Sequence, residues 1–319
     1  MKSPAQNGFL SRLPWKSLGL MATAVFTFIL CALYVLKANP EIRFLKSAWE
    51  VKSQSLATTA SRSGRILWAG GSSVLVGVKP DLIEAETHRK VLNLGMAAGM
   101  GPEVLIQLAM DQAREGDILL LSLEPELLTL PSMGSMLGSQ VAWSTGHPEW
   151  LGSLSPDEWL VSVSHLRPGA YHFFTMTTKV LLGRPLYRYS ADEIETGGWQ
   201  RIRAREDFPG VPVWYYRLLP EARALLSETA HRCRDAGVAV YYMPLPHFCP
   251  PDREKIHREG MAMFLMDVDG ILPVIDPVEG YISTDPSHFA DTPWHPIPDV
   301  AEDNARRLAN SLNLSVLSR

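Results

Sequence analysis

The sequence is short of several things that would have fixed its class at once. It has only 3 cysteines in 319 residues, so a disulfide framework is not what holds it together. Cys31 falls in an apolar stretch, and Cys233 and Cys249, with 15 residues between them, are read as free thiols. No block of one charge sign occurs, and the net charge of −4 offers no basic face for nucleic acid. Internal repeats and low-complexity tracts are absent. So are the H-E-x-x-H of zinc proteases, the G-x-G-x-x-G of dinucleotide sites and the G-x-S-x-G elbow of α/β-hydrolases. The 24 prolines and 23 glycines read as structured loops, because a hydrophobic content of 46% is too high for a disordered chain.

After residue 37 no long apolar run remains, which makes the one before it stand out. Ser17 to Leu36 contains no charged residue. Twenty residues at ~1.5 Å each cross a hydrocarbon core of about 30 Å. Lys2, Arg12 and Lys16 precede the run without an acidic residue among them. A cleaved signal peptide usually has a shorter apolar region, about 7–15 residues, and no small-x-small site closes this one cleanly. The expectation is a cytoplasmic tail over 1–16, a transmembrane anchor over 17–37, and a linker or stalk over 38–64. Lys37, Arg43, Lys46 and Lys52 lie beyond the run, so orientation rests on the shortness of the tail, which puts the large domain outside.

From Arg65 on, apolar runs alternate with helical patterns. Strands are expected at 66–69, 91–94, 117–123, 238–243 and 271–275, and helices at 80–90, 102–116, 220–236, 252–266 and 298–312. Short apolar strands separated by amphipathic helices are the βαβ signature of a parallel sheet covered on both faces. The expected fold is therefore α/β, a three-layer αβα sandwich over 65–319, preceded by the single N-terminal helix. The stretch 130–212, rich in Ser, Gly, Pro and aromatics, reads as an insertion with some helix near 171–182.

Three places at strand ends carry reactive chemistry. Gly70-Gly71-Ser72-Ser73 directly follows the first strand, where an open α/β sheet binds its ligands. Small residues there let the chain bend and leave N–H groups for an oxyanion. Asn93-Leu94-Gly95, with Gly99 and Gly101, follows the second strand, and a glycine there can bring an N–H to the same spot. Between 285 and 295 lie two aspartates and two histidines, Asp285, His288, Asp291 and His295. A carboxylate on one imidazole nitrogen would hold the tautomer whose other nitrogen takes a serine proton. His288, Asp291 and His295 are also plausible metal ligands, and that alternative stays open.

Taken together these segments resemble the SGNH (GDSL-like) hydrolases over most of 65–312. ILWAGGSSVLVG is similar to that family's first block, VLNLGMAAGMG to the second, GDILLLSLEPELL to the segment that replaces the third in membrane-anchored bacterial members, and FADTPWHPIPDVAEDNARRLANSL to the last. The resemblance implies an SGNH/flavodoxin-like sheet, a catalytic triad of Ser72, Asp291 and His295, and oxyanion donors at the backbone of Ser72 and Gly95. Ser73 and the literally spaced Asp285-Pro-Ser-His288 are the alternates. The family's Gly-x-Asn-Asp is absent, with Glu124-Pro125-Glu126 near its place, and Asp291 and His295 are one residue further apart than usual.

What the resemblance implies is a serine esterase or O-acyltransferase needing no cofactor. Its substrate would be an acylated envelope glycan or lipid on the outer side of the cytoplasmic membrane, with envelope-assembly proteins as potential partners. A catalytically inactive scaffold subunit and a metal-dependent hydrolase are the rival expectations.

Overall fold

A computed structural model describes residues 15–130, 136–152, 155–168, 170–183, 187–195, 197–202, 217–275 and 280–318. Part of the expected insertion 130–212, including 203–212, lies outside these residues.

The first helix, α1 (Trp15–Leu33), runs on through a wider turn at Tyr34–Ala38. Ser17–Ala38 is long and apolar enough to cross a membrane, with a mean hydropathy of 2.2 and almost none of its surface buried by the rest of the chain. Asn39 then breaks the helix and caps the next one, its side chain accepting the Glu41 N–H at 3.0 Å. Pro40 supplies the first residue of α2 (Pro40–Thr58).

The stretch 38–64, read from sequence as a linker, is more than that. Ile42, Leu45, Trp49, Lys52 and Leu56 recur at helical spacing, and all five are buried in the core of the domain. What hides this face in the sequence is Lys52, a charge in the middle of an otherwise apolar stripe.

The sheet is built from β1 (Ile66–Gly70), β2 (Val91–Asn93), β3 (Ile118–Ser122) and β4 (Ala239–Tyr242), all parallel, in the order β2-β1-β3-β4. Every residue of β1, β2 and β3 is buried, as near-continuous apolar strands require. The strand expected at 271–275 is reduced to one parallel bridge between Tyr242 and Val274. Beside the sheet lie α3 (Ser72–Gly77), α4 (Pro80–Thr87), α5 (Pro102–Met110), α6 (Glu126–Thr129), α7 (Met136–Thr145), α8 (Pro156–Ser164), α9 (Ala170–Leu181) and α10 (Pro220–Asp235). A two-residue pair, β5 (His247–Phe248) with β6 (Ile282–Ser283), flanks α11 (Glu254–Asp269), and α12 (Pro298–Leu312) closes the chain.

Alternation along the strands sorts the core into two layers. Ile66, Trp68, Ile118 and Leu120 face α4 and α12, where Ile83, Ala305, Leu308 and Leu312 meet them. Leu67, Ala69, Leu119 and Leu121 face the other way, toward α2, α5, α10 and α11. The parallel sheet is thus flanked by helices on both faces. Because the chain leaves β1 toward β2 on one side and returns to β3 on the other, the carboxyl ends of β1 and β3 form the topological switch point, the place where such sheets bind ligands.

Candidate active site

Tight packing explains the two glycines at the end of β1. A methyl group on Gly70 would fall 2.3 Å from the Ser122 carbonyl oxygen, and one on Gly71 would fall 2.2 Å from Glu124 Oε2. Gly71 therefore makes room for the Glu124 carboxyl, which reaches over from the end of β3. Ser72 opens α3, half-buried, and its hydroxyl makes no hydrogen bond with the described residues. Ser73 turns inward; its N–H donates to Glu124 Oε1 at 2.9 Å.

Asn93 holds this turn from below. Its amide nitrogen donates to the carbonyls of Val74 and Val78, each at 2.7 Å, satisfying the orphan carbonyls of the short α3. Its side-chain oxygen accepts the N–H of Gly95 at 2.9 Å. That bond corrects one expectation. Gly95 was to lend its N–H to an oxyanion, but that N–H is committed to Asn93. The glycine is needed for close approach instead, since a methyl there would lie 2.2 Å from the Leu75 nitrogen.

Lys52 joins the same network. Its Nζ donates to the carbonyls of Asn93 at 2.7 Å and Gly198 at 2.6 Å, and burial pulls its pKa down to about 7.

The loop before α12 supplies the candidate acid–base pair. Asp291 and His295 are 2% and 3% exposed, with His295 Nδ1 2.7 Å from Asp291 Oδ1. Burial alone would raise the Asp291 pKa, but His295, the Tyr189 hydroxyl at 2.7 Å and Arg188 at 3.3 Å outweigh it and hold the carboxyl well below its ordinary range. An ionised carboxylate can only accept, so the imidazole donates from Nδ1. A neutral ring then carries its lone pair on Nε2, and Nε2 is buried with no hydrogen-bond partner. No hydrogen bond joins it to Ser72.

The alternate pair stands elsewhere. Asp285 is exposed and His288 half-buried, with His288 Nε2 3.5 Å from Asp285 Oδ2, and Asp285 spends its carboxylate on the Ser287 N–H and hydroxyl. Among the described residues no three His, Cys, Asp or Glu side chains are arranged to hold a metal.

Glu124 connects the serine turn with the histidine. It is bonded to Ser73 and lies within electrostatic range of His295. Burial, opposed by those two neighbours, raises its pKa, and Oε2 has no partner. Glu126, bonded through Oε1 to Trp294 Nε1 at 3.1 Å, is pushed up to about 7 by burial and by the nearby Glu124. Its Oε2 is likewise unpartnered. His247 packs against the Trp294 ring, 4.3 Å between centroids, and bonds His257 at 2.7 Å.

Three of these residues escaped the sequence reading. Tyr189 and Arg188 belong to the expected insertion, where nothing local marks them. Lys52 was placed in the linker. Compared with known families and with curated proteins, the chain matches no family model and no curated protein.

Proposed function

We propose that this chain is a serine esterase or O-acyltransferase of SGNH type, anchored by α1 and acting on an acylated glycan or lipid. One observation carries the reading: a buried His295 whose Nδ1 is fixed by an ionised Asp291 and whose Nε2 is unclaimed, at the same sheet end as a glycine-bent turn bearing an unbonded Ser72 hydroxyl.

In the proposed reaction the Ser72 oxygen attacks the ester carbonyl while its proton passes to His295 Nε2. The tetrahedral intermediate collapses, the His295 proton goes to the departing alcohol, and the acyl group stays on Ser72. Water or a sugar hydroxyl then gives its proton to His295 and takes the acyl group, restoring the serine. The Ser72 N–H, at the start of α3, is one oxyanion donor. With Gly95 committed to Asn93, the unpartnered polar atom beside the turn is Glu124 Oε2, which can donate to an oxyanion only from a protonated carboxyl.

The absence of the family's asparagine and the engaged Gly95 N–H favour a second reading, a binding subunit that has lost turnover. Both are tested by exposing the full-length protein in detergent to a fluorophosphonate probe. We expect wild type and Ser73→Ala to be labelled, Ser72→Ala to be unlabelled, and His295→Ala to react slower by about 10³-fold. A folded wild type that resists the probe would reject the esterase and leave the binding subunit.

A further inference from the structure

Where α1 ends, three elements that are distant in sequence gather. α7 packs against the Tyr34–Ala38 turn and against α2. α8 packs on α7, with the Trp143 and Trp159 rings edge to face at 5.7 Å. α9 reaches the same level, since its Lys179 lies within electrostatic range of Glu41, three residues past the last residue of the span. On α8 and at the end of α9 two runs of large apolar side chains point outward. Trp159, Leu160 and Val161 of α8 are 49%, 67% and 53% exposed; Val180, Leu181 and Leu182, at the end of α9, are 63%, 79% and 59% exposed. A soluble surface seldom carries such clusters without a partner. Here the end of an apolar span sets the partner's position.

We infer that α8 and α9 dock onto the bilayer that holds α1, with these six side chains inserted at the boundary of head groups and acyl chains. The occupant is phospholipid, because continuity with the span places lipid at this height. The inference rests on α1 being a membrane anchor and is independent of the esterase reading. It bears on that reading nonetheless. The chain following α9 carries Tyr187 and Tyr189, whose rings lie 5.3 and 5.8 Å from Phe44. Phe44 lies in the second turn of α2, six residues beyond Ala38. Tyr189 donates to Asp291. A single line of contacts thus connects the membrane level with the candidate acid–base pair, an arrangement suited to substrates held in or on the membrane.

The test uses the full-length chain in nanodiscs of phosphatidylcholine with some phosphatidylglycerol. An environment-sensitive nitrobenzoxadiazole dye is attached through Val25→Cys, Leu160→Cys, Leu181→Cys or Asp303→Cys, with the unsubstituted chain as the blank. Val25 lies mid-span, and Asp303 is exposed on α12, across the sheet from α2. Doxyl-labelled phospholipid should quench the dye at 25, 160 and 181 by about twofold or more and leave 303 nearly unchanged. Quenching at 25 alone would overturn the docking while leaving the span intact. No quenching at 25 would remove both. Dyes at 160 and 181 that escape lipid, with the unlabelled Leu160→Cys and Leu181→Cys chains forming disulfides between copies, would also overturn it, by giving the surface to a second chain.

Discussion

The two ends of the sheet treat buried polar groups in opposite ways. At the amino end, Arg65 enters β1 and Asp117 enters β3, each 1% exposed. Asp117 accepts the Arg65 N–H at 3.0 Å, its guanidinium at 2.6 Å and the Arg114 N–H at 3.0 Å, while Arg65 also reaches the Gln112 carbonyl at 2.9 Å. At the carboxyl end, Glu124 Oε2, Glu126 Oε2 and His295 Nε2 are all buried and unpartnered. Native proteins rarely leave such atoms unsatisfied, and the exceptions cluster where something else is meant to bind or react. One end therefore satisfies its buried charges to align strands, while the other leaves polar atoms unclaimed, as the proposed esterase requires.

The largest effect should come from breaking the satisfied end. Asp117→Ala leaves a buried guanidinium without its counter-charge, a loss of about 3–5 kcal/mol. Urea unfolding of the detergent-solubilised protein would measure it. The fluorophosphonate labelling rate per folded molecule should stay at the wild-type value. A stability loss under ~1 kcal/mol, or a labelling rate that falls with it, would mean that the two ends are not separate in their work.

How far the sequence reveals this division depends on what each feature is made of. The sheet was legible because its strands are short, apolar and bordered on one side by glycine, and the single anchor-like run because nothing else in the chain resembles it. β1 and β3 extend to within a residue or so of their expected limits. Gly70-Gly71-Ser72, Glu124 and the Asp291–His295 loop could be named, since each directly follows a strand or precedes a helix. Their contacts could not. Whether Asp291–His295 or Asp285–His288 is the buried pair depends on Tyr189 and Arg188, which come from a segment about 100 residues away with no periodicity. The role of Gly95 was misjudged for a related reason: a glycine chosen for close approach and one chosen for a free N–H look the same in sequence.

A smaller effect, with a definite pH signature, belongs to the unsatisfied end. Glu126 titrates at about 7 in the folded chain against 4.5 in the unfolded one. Because the folded value is the higher, the stability this group contributes is fully present below about 4.5 and is lost as pH rises through 7. Glu126→Gln removes that loss. The variant should match wild type near pH 4 and exceed it by about 3 kcal/mol at most above pH 7, at ~1.4 kcal/mol per unit. Equal gains at both pH values would show that the glutamine merely packs better and that the carboxyl's burial is not the cause.

The smallest effect concerns the contact that joins the two central strands at the site. Gly71 has φ −81°, so alanine is not barred there by left-handed backbone; what opposes it is the Glu124 carboxyl, 2.2–2.7 Å from the added methyl. Gly71→Ala should therefore cost about 1–3 kcal/mol, as overpacking does. In a Glu124→Ala background the space is empty, and the same substitution should cost less than about 0.5 kcal/mol. Sites that share a volume couple, whereas independent sites add within ~0.3–0.5 kcal/mol. A double-mutant cycle by urea unfolding gives the coupling directly. Strict additivity would mean that Glu124 does not occupy the space over Gly71, and with it would go the link from the serine turn to His295. Clear coupling would tie the second glycine of the turn to a glutamate 53 positions later, and make that spacing the signal by which the arrangement could be sought in other sequences.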